Sequence, residues 1–325
     1  MRDMNRQTEN KIILIHRRTR LAELVARFNT LDQARFYVEH LGSDFSEYLI
    51  EDDNYNQSLT EVRGQLENLG RVQPLERAFL PNFIFGPDDV IVVVGQDGLV
   101  ANTLKYLNSQ PVVAINPDPG RWDGVLLPFK KGEAGAIVSD VFKNRRRHKD
   151  ISLAEAELTD GQRLYAVNDL FIGPRSHVSA RYILQSGKEL EVQSSSGLIV
   201  STGLGSTGWL KSILAGADGI MKAASALTGN EKAQENKKSL SKLDGSFSWS
   251  ADYLCYSVRE PFPSRTTGSS LVFGLVDEDR PLTVTSQMPS GGIIFSDGIE
   301  DDFLEFNSGQ KARISVAEKK GRLII

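Results

Sequence analysis

The stretch Asp88–Leu107, DDVIVVVGQDGLVANTLKYL, decides the fold. Val90–Val94 is an unbroken β-branched run, the pattern of a strand buried on both faces, and Gly95-Gln96-Asp97-Gly98 breaks it before the helical Leu99–Leu107. Strand, glycine turn and helix in that order are the unit of a doubly wound sheet. Working outward, Lys11–His16 (KIILIH) and Val112–Asn116 (VVAIN) carry the same buried-strand signature. Leu21–Leu41 and Glu51–Gly70 read as helices from their spaced apolar residues. After a polar leader over residues 1–10, residues 11–130 therefore predict an α/β domain with a parallel sheet that carries the GQDG loop.

From about Ala154 the rhythm changes to short period-2 runs with Gly-containing turns, EAELTDGQRLYAVNDLFIG, ARYILQSGKELEVQSSSGLIVST and DYLCYSVRE. This is antiparallel β grammar, so residues 131–325 predict a β-rich domain, with its last segment free to return to the first domain. One helix, Trp209–Leu227, interrupts it, and Thr228–Gly245 is polar enough to read as a mobile loop. GGIIFSDGIEDDFLEF reads as two strands around a turn at Asp297-Gly298, and ARISVA and RLII as two closing strands.

Composition narrows the function classes. The 325 residues are 40% hydrophobic and 25% charged, ordinary globular usage that excludes fibrous and wholly disordered chains. Lys+Arg 38 against Asp+Glu 42 gives −4, no field for condensing onto nucleic acid. A single Cys255 forms no internal disulfide, and four histidines without HxxxH spacing give no metal centre. No apolar run approaches the roughly 20 residues of a membrane span, and the N-terminus lacks an apolar signal core. The expectation is a cytoplasmic chain whose partners are small molecules, neither nucleic acid nor membrane.

Three polar motifs stand out. Gly95-Gln96-Asp97-Gly98 falls at the carboxyl end of a strand, where open α/β sheets bind ligands, and an acid there suits acceptance of a proton from a substrate hydroxyl. The same Asp97 would also serve as a plain helix cap. Gly203–Gly208 (GLGSTG) matches GxGxxG but lacks the second strand and acid of a dinucleotide unit; its hydroxyls suit a phosphate or ribose contact, and a simple turn explains it equally. Asn168-Asp169 is a polar pair between apolar runs, suited to a ribose diol or to a backbone bulge. Lys143–Lys149 (KNRRRHK) and Glu300–Asp302 read as solvated charge, and Arg259, Glu260 and Arg265 as an ion pair or an anion contact.

In this order the motifs resemble the NAD kinase superfamily, particularly its divergent mitochondrial-type branch. The family's GGDGT loop is similar to Gly95–Leu99, its Asn-Glu/Asp pair to Asn168-Asp169, and its TGSTAY segment to Leu204–Trp209. SVREPFPSR and FSDGIEDDFLEFNSG support the match. The resemblance implies an α/β domain and a β-rich NAD-binding domain with the active crevice between them, and phosphorylation of the adenosine-ribose 2′-OH of NAD by ATP or another donor with Mg²⁺. It implies Asp97 as the catalytic proton acceptor and Gly95, Gln96, Gly98, Asn168, Asp169, Ser206, Thr207 and Trp209 as nucleotide-binding residues, with no protein-held metal. Trp209 stands where an adenine-stacking Tyr is usual. A homo-oligomer, a dimer, is implied with it. Two departures bear on the donor side: Gln96 replaces a glycine and would strain a backbone needing positive φ, and Leu99 replaces a threonine hydroxyl. A kinase for another hydroxyl compound, or a nucleotide sensor without turnover, fits the same residues.

Overall fold

The computed structural model describes residues 8–228 and 246–325, so most of the polar leader and the polar loop expected after Thr228 lie outside the described residues. The chain divides into two compact units, residues 1–149 with Gly321–Ile325, and Asp150–Lys320.

The first unit is built on β1 (Lys11–His16), β2 (Arg71–Glu76), β3 (Val90–Val94) and β4 (Pro111–Asn116), all parallel, in the order β2-β1-β3-β4. Arg322–Leu323 lie parallel to Pro111–Val112 on the far side of β4. The strand runs read from sequence recur here because both sheet faces are covered: Ile12, Leu14, Val92, Val94, Val113 and Ile115 pack in one core with Val62 and Leu66 of α3 (Ser46–Glu67). The helix expected over Leu21–Leu41 is instead two, α1 (Arg20–Phe28) and α2 (Leu31–His40). Asn29, at φ 67°, stops the first, and Thr30 caps the second by accepting the Gln33 N–H at 3.2 Å. That Asn-Thr pair is a stop and a start in adjacent positions. β2 escaped the sequence reading because RVQPLE is a largely exposed edge strand carrying a proline. Beyond α4 (Asp97–Leu104), β5 (Phe129–Lys130) and α5 (Ala134–Phe142) keep the first unit going past residue 130 to Lys149, since Phe129, Ala134, Ile137 and Val138 bury into its core.

The second unit contains two sheets. One holds β6 (His148–Leu158), β7 (Arg163–Ala166), β9 (Ala180–Ser186), β10 (Glu189–Ser195), β14 (Leu282–Ser286) and β17 (Lys311–Ile324). The other runs β13-β12-β11-β8-β15-β16, where β8 is Asp169–Pro174, β11 Leu198–Ser201, β12 Leu254–Val258, β13 Phe273–Val276, β15 Gly292–Ser296 and β16 Ile299–Glu305. Tyr182, Leu184, Leu282 and Ile314 of the first share one core with Leu170, Ile172, Val200, Tyr256 and Ile294 of the second. The closing runs ARISVA and RLII form one continuous strand, β17, instead of two. A long helix, α6 (Trp209–Thr228), follows β11.

In the first unit Tyr55 of α3 fastens the carboxyl ends of β1 and β3. Its buried hydroxyl accepts the Arg17 N–H at 3.0 Å and donates to the Val94 carbonyl at 2.8 Å. Tyr55→Phe keeps the ring and strands both partners, so unfolding free energy in urea should fall by about 1–3 kcal/mol.

Candidate functional site

Asp97 opens α4 at the carboxyl end of β3, the position an open parallel sheet uses for ligands. It does not cap the helix: the N-cap is Gln96, which makes no side-chain cap hydrogen bond. Asp97 Oδ1 instead accepts the Leu126 N–H at 2.7 Å, which fixes the carboxyl while the residue stays partly exposed. Gln96 has φ −110° and ψ 166°, ordinary extended backbone, so the strain expected of a side chain there is absent. Gly95 is buried and donates its N–H to the Ile115 carbonyl at 3.3 Å, while Gly98 is exposed with open space where a Cβ would stand. Leu99 is buried, packing where the resembling family carries a hydroxyl. The arginines after β1 are neutralised: Arg17 and Arg20 both bind the buried Glu51, and Arg18 meets Glu76 at 2.9 Å.

In the second unit, Asn168 and Asp169 form the mouth of β8. Asp297, missed as a site residue because Asp-Gly reads as a hairpin turn, accepts their backbone N–H groups and that of Val167 at 2.6–3.3 Å. Its own N–H returns to the Asp169 carbonyl at 2.9 Å. Asp169 is buried, and its Oδ1 has no hydrogen-bond partner. Burial raises its pKa to about 7, the nearby Asp297 charge adds to the rise, and a hydroxyl contact from Ser201 opposes it. That buried, unsatisfied acceptor lies beside the partly exposed Asn168.

The Gly203–Gly208 loop is laid against that mouth. Thr202 donates its N–H to the Asn168 carbonyl at 2.9 Å and its hydroxyl to the Val167 carbonyl at 2.5 Å. A Cβ on Gly205 would stand 2.2 Å from the Asn168 carbonyl, so only glycine fits there. Ser206 is fully buried, donating to the Gly203 carbonyl at 2.6 Å and accepting the Phe247 N–H at 3.2 Å; its hydroxyl holds the loop together. Thr207 is exposed, and Trp209 is half-buried, stacked on Phe171 with centroids 6.1 Å apart. The structure thus groups Gly95, Gln96, Asp97 and Gly98 in the first unit and Asn168, Asp169, Ser206, Thr207 and Trp209 in the second.

Other candidates carry less. Arg146 of the basic run pairs with Asp140 at 3.2 Å, and among the described residues no three His, Cys, Asp or Glu side chains are grouped to hold a metal. Cys255 is buried and its thiol pushed up to about 12. No described helix is long and apolar enough to cross a membrane.

No family model matches the chain. Two curated relatives do in part: NAD kinase of Aromatoleum aromaticum, 28% identical over 37% of this chain and 42% of its own, and NAD kinase of Acinetobacter baylyi, 32% identical over 42% and 45%. The matched region thus spans less than half the length of either relative. In fold the chain is similar to yeast NADH kinase complexed with NADH, at TM-score 0.55 and 14% identity over 98% of this chain and 84% of that one. It is also similar to an NAD kinase from Archaeoglobus fulgidus in complex with ATP, at TM-score 0.52 and 15% identity over 97% and 93%. The likeness to NAD kinases in sequence thus covers part of the chain, and the likeness in fold covers nearly all of it.

Because the folded pKa of Asp169 lies above its unfolded value, the stability it contributes is full below about pH 4 and is lost as pH rises to about 7. Asp169→Asn removes that titration. The variant's stability relative to the native chain should rise between pH 5 and pH 8, as read by urea unfolding at each pH.

Proposed function

We propose that this chain is an NAD kinase, transferring a phosphoryl group from ATP or another donor to the adenosine-ribose 2′-OH of NAD to give NADP. The observation that carries the reading is Asp97, held at the carboxyl end of β3 by the Leu126 N–H and not consumed as a helix cap. In this reaction Asp97 accepts the hydroxyl proton as the ribose oxygen bonds to the donor's terminal phosphorus. The bond to the leaving phosphate breaks with its electron pair, and the proton stays on Asp97. Asn168 and Asp169 take the ribose and adenine, Thr207 the base and Trp209 the adenine face, while Gly95, Gln96 and Gly98 line the donor's phosphates. Ser206 acts through the loop it holds.

Mg²⁺ brought in with the donor would neutralise its phosphates. Phosphoryl transfer asks a protein mainly for positioning and charge neutralisation, which this inventory meets. The ordinary backbone at Gln96 favours a competent donor loop over a sensor without turnover. We also assign a cytoplasmic homodimer, whose interface would cover the exposed Ile220 and Leu227 of α6.

Purified chain incubated with NAD, ATP and Mg²⁺ should form NADP, read with an NADP-specific dehydrogenase. Asp97→Asn keeps the acceptor oxygen for Leu126 and loses basicity, so turnover should fall about 10²–10⁴-fold with NAD affinity little changed. Near-native turnover in that variant would remove Asp97 from the chemistry.

A further inference from the structure

A cavity of about 590 Å³ lies wholly within the first unit, at the amino end of its parallel sheet. Val90 and Pro111, the first residues of β3 and β4, line it together with Asn10, which precedes β1. Asp97 lies past the other end of β3, about 15 Å away along a five-residue strand. On the far side of β4, Arg322 is in register with Pro111. Side chains alternate along a strand, so Arg322 shares the face of Ile324, which packs in the core with Val90 and Val113. A sheet face that is apolar at its middle thus ends in a cation.

Charge in the lining is lopsided. Arg322, Arg146 and His148 contribute to it against a single acid, Asp88. Arg322 is exposed, with no hydrogen-bond or ion-pair partner among the described residues. Arg146 rests on the Phe129 ring at 5.8 Å and is tied to Asp140 at 3.2 Å through Nε, which leaves its two terminal nitrogens for a further anion. The walls are built in advance. Gln110, fully enclosed, donates its side-chain N–H to the Gly86 carbonyl at 3.0 Å and accepts the Asn108 N–H at 2.6 Å. It thereby fixes the segment carrying Pro87 and Asp88 against the one carrying Ser109. Ser109, at φ 77°, and Asn144, at φ 53°, both line the cavity in left-handed backbone, which side chains adopt only where their surroundings impose it.

Two guanidinium groups in a preformed recess suit a phosphate dianion, which accepts forked N–H donors. The rest of the polar lining suits hydroxyls: the Asp88 carboxylate accepts from them, and Asn10, Ser109 and Asn144 both donate and accept. We propose that this cavity binds a small phosphorylated polyol, such as a sugar phosphate, with its phosphate on Arg322 and Arg146 and its hydroxyls on Asp88, Asn10 and Ser109. The site is apart from the three motifs and does not depend on the kinase reading. It gives a ligand to the basic run, which as sequence reads only as solvated charge.

Calorimetry on the full chain with glucose 6-phosphate, glucose and inorganic phosphate as probes tests it. Glucose 6-phosphate should bind about tenfold or more tightly than either fragment, and raising salt from about 0.05 to 0.5 M should weaken it. Arg322→Gln, a change at an exposed side chain, should melt with the native chain and lose about tenfold or more in affinity for glucose 6-phosphate, and Arg322→Lys should keep part of it. Asp88→Ala should weaken glucose 6-phosphate and leave inorganic phosphate bound at least as tightly. NAD affinity should be unchanged in all three variants. Absence of glucose 6-phosphate binding, inorganic phosphate binding as tightly as the ester, or a folded Arg322→Gln chain with native affinity would overturn the proposal. So would a parallel loss of NAD affinity in Arg322→Gln, which would assign the phosphate to the nucleotide. None of these readouts needs turnover, so a chain that binds the sugar phosphate as described but makes no NADP overturns the kinase reading and leaves this site standing.

Discussion

The Asp297 carboxylate, gathering the N–H groups of Val167, Asn168 and Asp169, is the interaction on which the candidate site in the second unit depends. Three successive donors where the chain enters β8 converge on one carboxylate, which satisfies them with charge-assisted bonds. Asp297 sits at φ 56°, a left-handed conformation that asparagine and aspartate tolerate better than bulkier residues. The turn that carries it is therefore shaped by the need to aim one carboxylate backward at β8. The same charge has a second effect. It disfavours ionisation of Asp169 next to it and so adds to the rise that burial causes. One group thus builds the mouth and adds to the shift that burial imposes on its acid.

From that mouth the Gly203–Gly208 loop inherits its position through backbone contacts. Thr202 holds Val167 and Asn168 through their carbonyls, and Gly205 brings its own backbone against Asn168 at a distance that admits no side chain. Ser206 then closes the loop on itself and on Phe247. The hydroxyls that look available for a ligand in a string of letters divide in space, Ser206 turned inward and Thr207 outward. Trp209, at the end of this chain of contacts, stacks on Phe171, whose ring has room because of Gly173 on the same strand and Gly197 before β11.

What could be read from the sequence divides along the same physical line. Lys11–His16 and Val90–Val94 were legible to the residue because a strand buried on both faces must be apolar throughout, and little else produces that pattern. The split between α1 and α2 was obscured because Asn29 and Thr30 act through φ and a cap bond, which leave the apolar spacing intact. β2 was invisible because an exposed edge strand has no buried face to pattern it. Asp97, Asn168 and Asp169 stood out as polar residues set among apolar runs. Asp297 did not, since Asp-Gly in a hairpin has a complete local explanation, and its partners lie about 130 residues away along the chain. Arg259 was legible only as charge, because the Trp209 ring beside it lies about 50 residues away along the chain.

The departure at Gln96 has a related explanation. A phosphate-binding turn needs glycine where φ is positive or where the backbone must approach a neighbour closely. Gln96 meets the first condition nowhere, since its φ is −110°, and as N-cap it offers its carbonyl to Leu99 at 2.9 Å, which any residue can do. The first turn of a helix leaves its leading N–H groups without intrahelical partners, whatever side chain precedes them. The backbone donors at the start of α4 therefore survive the replacement, and so does the orientation of Asp97, because Leu126 fixes that carboxyl from outside the loop. Asp97 is held by a contact that the altered position does not touch.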